Sequence, residues 1–172
     1  MDIQEIFDAK GTAQKEKLEI ISKALLDGKL TIERLIEFAK QSKDPAKASC
    51  IESLEFATKE KPEIADRNCF DFVTDCLSEK APRVKWESAR VIGNIIHLFQ
   101  NDMDKAIYNL LKNSEYSGTV VRWSAAYAIG QILKLKTKKN IDLIPVIETI
   151  INREEKNSIK KIYLDSLKKC RG

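Results

Sequence analysis

The side chains able to do nucleophilic, acid–base or metal chemistry are few in this sequence and badly spaced for it. Of the four cysteines, Cys50, Cys69, Cys76 and Cys170, none forms a Cys-x-x-Cys pair, and His97 is the one histidine. That supply does not make a zinc-type or redox-type ligand set. Cys69 and Cys76 lie seven residues apart, which puts them on one face of a helix. The spacing points to packing as reduced thiols rather than to a disulfide. His97 has no serine or cysteine at a separation that suggests a nucleophile and its base, and reads as a solvated side chain at a helix end. The expectation is no catalytic constellation, no metal and no cofactor. Recognition by flat rings and cations is the chemistry on offer. It comes from Trp86, Arg90, Asn94 and His97 and, 37 residues on in each case, from Trp123, Tyr127, Gln131 and Lys134.

That constant offset extends to the residues around them. Val84-Lys85-Trp86, Ala89 and Ile92-Gly93-Asn94-Ile95 are matched by Val121-Arg122-Trp123, Ala126 and Ile129-Gly130-Gln131-Ile132. Ala46 to Leu54 and Ile159 to Leu167 are degenerate copies, each displaced by 38 residues from its neighbour and without the Trp and Gly. Self-similarity at this period is the mark of stacked supersecondary units, and terminal units are the ones expected to degenerate because each has a neighbour on one side only.

At 100° per residue the first full copy sorts into two arcs. Val84, Ser88, Val91, Ile92, Ile95, Ile96 and Phe99 form an apolar inner arc. Arg83, Trp86, Arg90, Asn94 and His97 fall opposite, and Trp123, Tyr127, Gln131 and Lys134 align with them in the second copy. Two readings of the Trp pair stay open: a recognition surface for protein or stacked bases, or packing in the groove between units.

The elements that must carry these arcs are all helical. Gly (6) and Pro (4) are scarce, 33% of residues are charged, and 43% are hydrophobic. Apolar periodicity predicts helices over residues 1–9, from Thr12 or Ala13 to 26, from Thr31 on the stripe Ile32, Leu35, Ile36 and Ala39, and over 44–59, 63–78, 82–99, 103–112, a second copy after Gly118 to 135, 141–151 and 158–170. Thr31, Asp44 and Asp102 are the expected caps, with Pro45 in a first turn. The division that follows is a single domain: an N-terminal helical cap over 1–30, then helix pairs over 31–61, 62–100, 101–138 and 139–172. No apolar run is long enough to span a bilayer, and residues 1–10 lack the basic start and apolar core of a secretory signal, so a cytoplasmic protein without a membrane partner is expected.

The doubled motif resembles the second helix of HEAT repeats. There a basic residue follows a Val, small residues come three to four later, and an aliphatic–Gly pair follows; Val84-Lys85, Ala89 and Ile92-Gly93 fit, as do Val121-Arg122, Ala126 and Ile129-Gly130. The resemblance implies an all-α superhelix of about four antiparallel helix pairs after an N-terminal segment. It also implies a protein-binding scaffold whose second helices line a concave face. HEAT repeats usually place an Asp before the Val-Arg. Ala81-Pro82 and Gly118-Thr119 stand there instead, so no Asp–Arg ladder is expected.

A HEAT-like branch of DNA glycosylases acting on alkylated bases gives the alternative partner, nucleic acid. That branch uses an acidic residue near a Trp, whereas one turn after Trp86 and Trp123 stand Arg90 and Tyr127. Charge bears on the same choice. Residues 1–81 hold 13 Lys and Arg against 17 Asp and Glu, whereas residues 82–172 hold 17 against 9. A basic C-terminal half either is a polar end cap or takes an anionic partner.

Overall fold

Turns that interrupt the apolar periodicity separate ten α-helices in the computed structural model, which describes residues 1–172: α1 (Ile3–Asp8), α2 (Gln14–Leu26), α3 (Ile32–Gln41), α4 (Asp44–Glu60), α5 (Arg67–Cys76), α6 (Pro82–Ile95), α7 (Asp104–Asn113), α8 (Thr119–Lys134), α9 (Asn140–Arg153) and α10 (Asn157–Arg171). There is no strand. The even helices pack directly on one another in chain order, from α2 on α4 to α8 on α10. The odd helices lie across them as a second layer whose members touch each other sparingly. The even helices thus form one continuous row, here called the inner row.

Stacking supplies the core that no pair could bury alone. One continuous cluster of 42 buried residues runs from Ile3 to Leu167. The two repeat glycines are the points of closest approach. A Cβ on Gly93 would stand 2.8 Å from Tyr127 Cδ1 and nearer still to Cε1, and one on Gly130 would stand 2.5 Å from Ser166 Oγ. Each glycine thus admits a side chain of the next even helix, which compensates its poor helix propensity.

Several boundaries differ from the periodicity. The helix expected over 63–78 is broken: Pro62–Ile64 form a 3₁₀ turn, and Asp66 caps α5 by accepting from the Cys69 N–H at 2.8 Å. Asp102 does not cap the next helix. Its carboxylate accepts from Arg67 on α5 at 2.7 Å, and α7 starts two residues later without a side-chain cap. Asp44 is the first helical residue of α4, with Lys43 before it as the cap position. The first copy ends in a 3₁₀ turn, Ile96–Leu98, rather than as one helix to Phe99. Thr31 does cap α3, accepting from the Arg34 N–H at 3.3 Å.

The cations of the repeat also find partners, with acceptors supplied by the turn or helix end of the following pair. Lys47 reaches Glu79 at 3.0 Å, Lys85 reaches Asn113 at 3.2 Å, and Arg122 reaches Glu154 at 2.9 Å. The stack is therefore laced without an aspartate ladder. At its C-terminal end the register changes character: Leu164 and Lys168 stand where α8 has the buried Ala126 and Gly130, and Leu164 is 52% exposed.

Candidate partner-binding face

The aromatic and polar side chains singled out by the repeat all lie on α6, its 3₁₀ extension and α8, in the middle of the inner row. Trp86 is half-buried and its Nε1–H donates to Glu87 Oε1 at 2.7 Å. Trp123 is 40% exposed and its ring stacks on that of Tyr127, with centroids 6.1 Å apart and planes 9° from parallel. Val120, one turn earlier on α8, is 52% exposed. Tyr127 leans back over Gly93 and donates its phenol O–H to Asn94 Oδ1 at 2.8 Å. Asn94 in turn donates to the Glu55 carbonyl at 3.1 Å and to Thr58 Oγ1 at 3.2 Å, so its polar atoms tie α4, α6 and α8 together. Gln131 and Lys134 are half-buried, and His97 is exposed on the turn after α6.

Arg90 is not free. Its guanidinium lies 3.1 Å from Glu55 Oε1 on α4 and 3.3 Å from Glu87 Oε2 on its own helix. Beside it, Arg83 pairs with Glu52 across the same seam at 2.5 Å. Both Glu55 and Glu87 are 3% exposed. Burial raises their pKa values above the ordinary carboxylate range, and Arg90 opposes the rise in both; the Trp86 N–H opposes it further at Glu87. Glu55 Oε2 is buried without a hydrogen-bond partner.

Sequence reasoning passed over these two acids for different reasons. Glu87 is adjacent to Trp86 in the chain, where a search one helical turn downstream does not look. Glu55 stands in the degenerate copy at the place of Gly93 and Gly130, the position that faces the next even helix. The offset of 38 was signal enough to put a carboxylate in the α4–α6 seam.

No protein-family model matches this sequence, and no curated protein is similar to it in sequence. Among solved structures, the complex of CpcE and CpcF of phycocyanin lyase from Nostoc sp. PCC7120 superposes with a TM-score of 0.71 at 18% identity, over 96% of this chain and 97% of that one. A designed armadillo repeat protein in complex with the peptide (KR)4 gives a TM-score of 0.69 at 15% identity, over 98% of this chain and 80% of the other. A second designed armadillo repeat protein gives 0.70 at 12% identity, with the same coverage. The fold is a HEAT-like α-solenoid. In such a solenoid neighbouring units present equivalent positions side by side, and by the repeat register Trp86 corresponds to Trp123, Arg90 to Tyr127, Asn94 to Gln131 and His97 to Lys134. The seam contacts from Tyr127 to Gly93 and Asn94 fit this register. No helix is long and apolar enough to cross a membrane.

Proposed function

We propose that this solenoid is a non-catalytic binding module that captures a segment of a partner protein along its even-helix face, centred on Trp86 and Trp123. The observation that carries this reading is the exposed apolar strip of Val120 and Trp123, stacked on Tyr127, in the middle of an otherwise polar inner row. Large rings held in place by their neighbours supply contact area at low entropic cost, the property of interface anchors. Tyr127 is fixed by its bond to Asn94, and Trp86 by its bond to Glu87, so the face is preorganised. The carboxylates beside the rings are committed to Arg90, which favours a structural role for them over acid–base chemistry. A solved solenoid of the same fold holding a peptide supports the scale of ligand proposed.

The test is selection of random dodecapeptides displayed on phage against the wild-type chain and against Trp86→Ala/Trp123→Ala. Peptides enriched by the wild type should lose the double variant while its far-ultraviolet circular dichroism is unchanged. Enrichment that survives the double substitution would place the site elsewhere and refute the reading.

A further inference from the structure

The charges on the inner row divide by whether they are spoken for. Arg83 and Arg90 are paired, and so are Lys47 and Arg122. Beyond Trp123 the situation reverses. Lys134 on α8 and Lys161 and Lys169 on α10 occupy the inner-row register positions of His97, Trp123 and Gln131, and Lys168 stands at their rim in the place of Gly130. None of the four lies within salt-bridge distance of a carboxylate, and Lys161, Lys168 and Lys169 are exposed. Burial and then the nearby Lys169 ammonium hold the Lys134 pKa below its ordinary value, against the opposing charge of Asp165. Asp165 is the one acid on that face of α10, and it is also exposed and unpaired. Apolar surface borders the strip, with Val120 and Trp123 before it and Leu164 at its end.

We infer that this strip reads an acidic segment of the partner: apolar side chains seat on Val120, Trp123 and Tyr127, and Asp or Glu side chains run on to Lys134, Lys161, Lys168 and Lys169. The inference rests on the peptide-binding reading above and adds the sign of the ligand's charge, opposite to that of the peptide in the designed neighbour. With Asp165 as the one acid among them, these ammonium groups gain from an anionic ligand by attraction, and Lys134 and Lys169 gain also by relief of their repulsion. A polypeptide fits better than a phosphate backbone. The strip is only two helices wide, is interrupted by Asp165 and is bordered by exposed apolar side chains, Trp123 and Val120 on one side and Leu164 on the other.

The experiment uses fluorescein-labelled dodecapeptides titrated with the full chain by anisotropy at low and high salt: (Glu-Ser-Phe-Asp)3, its neutral counterpart (Gln-Ser-Phe-Asn)3, and (Lys-Ser-Phe-Arg)3. A single-stranded thymidine dodecamer serves as the phosphate probe. The acidic peptide should bind about tenfold or more tighter than the neutral one at low salt, with the difference shrinking as salt rises. Lys161→Gln/Lys169→Gln, both at exposed positions that tolerate substitution, should remove most of that difference while the neutral peptide is unaffected. Equal binding of acidic and neutral peptides, or preference for the basic one, overturns the inference and leaves the binding face intact, provided Trp86→Ala/Trp123→Ala still abolishes it. Binding of the thymidine dodecamer alone, sensitive to the same lysines, overturns both readings.

Discussion

Gly93→Ala isolates the packing rule that closes the superhelix. The added methyl would stand 2.8 Å from Tyr127 Cδ1 and 3.1 Å from Cζ, inside any ordinary carbon contact. Relief requires the Tyr127 ring to swing away, which breaks its hydrogen bond to Asn94 and unstacks it from Trp123. Overpacking of a seam costs about 1–3 kcal/mol and the lost hydrogen bond about 1 kcal/mol. Better helix propensity returns about 1 kcal/mol. The net expectation is a loss of about 1–3 kcal/mol, read as a lower urea midpoint at unchanged m-value. In a Tyr127→Ala background the obstructing ring is gone, so the same Gly93→Ala should become stabilising by about 1 kcal/mol through propensity alone. A stabilising effect in the wild type, or no change of sign between the two backgrounds, would refute the close-approach argument.

Tyr163 is 1% exposed and its hydroxyl is buried without a partner, so Tyr163→Phe should raise stability by about 1 kcal/mol, visible in the same denaturation assay. The thiols of Cys50, Cys69 and Cys76 are pushed up to about 12 by burial, while Cys170 is partly exposed. Alkylation of the native chain near pH 8 should therefore modify Cys170 first, and the other three only as the protein unfolds, as peptide mass mapping would show. Acid should act in opposite directions at two places. Burial raises the folded-state pKa values of Glu55 and Glu87, so their contribution to stability grows as pH falls through those values. At Glu154 burial pushes the pKa up, but the Arg122 hydrogen bond and charge and the Lys156 N–H together hold it below the ordinary value, so its contribution is lost as pH falls. Stability measured between neutral and acidic pH should fall less steeply for Glu154→Gln than for wild type, and more steeply for Glu55→Gln. Removing the cation instead, by Arg122→Leu, leaves Glu154 buried and unpaired and should cost about 3 kcal/mol at neutral pH.

Most of the fold was legible because it is written twice. The offset between Trp86 and Trp123 fixes the unit, and the aliphatic arc fixes which side is buried. What the periodicity misplaced were starts of outer helices. Ile64 and Cys69 share a helical spacing, yet Asp66 offers its side chain to the Cys69 N–H and begins the helix afresh. Asp102 has the right type for a cap and is drawn instead to Arg67 on the preceding outer helix, a contact between residues 35 apart that no local pattern encodes.

The candidate face could be named from the sequence but the exposure of its residues could not, and the reason is geometric. A helical projection has one buried side and one free side, whereas an inner helix of a solenoid has neighbours on three sides: its own outer helix, the unit before and the unit after. The arc opposite the core is therefore narrower than the projection suggests, and its edges fall into seams. Asn94 falls toward α4, where its amide is consumed by Glu55 and Thr58, and Arg90 is drawn the same way by Glu55. Gly93 falls toward α8 and is covered by Tyr127. What replaces that glycine in the degenerate copies then sets the character of the inner row on either side of the doubled motif. Glu55 in α4 turns its seam into an ion pair with the next unit, while Lys168 in α10 is exposed and outside any ion pair. One register position thus supplies close packing in the middle of the stack, a buried carboxylate before it and an unpaired cation after it. The uneven charge along the inner row follows from the same repeat that builds the fold.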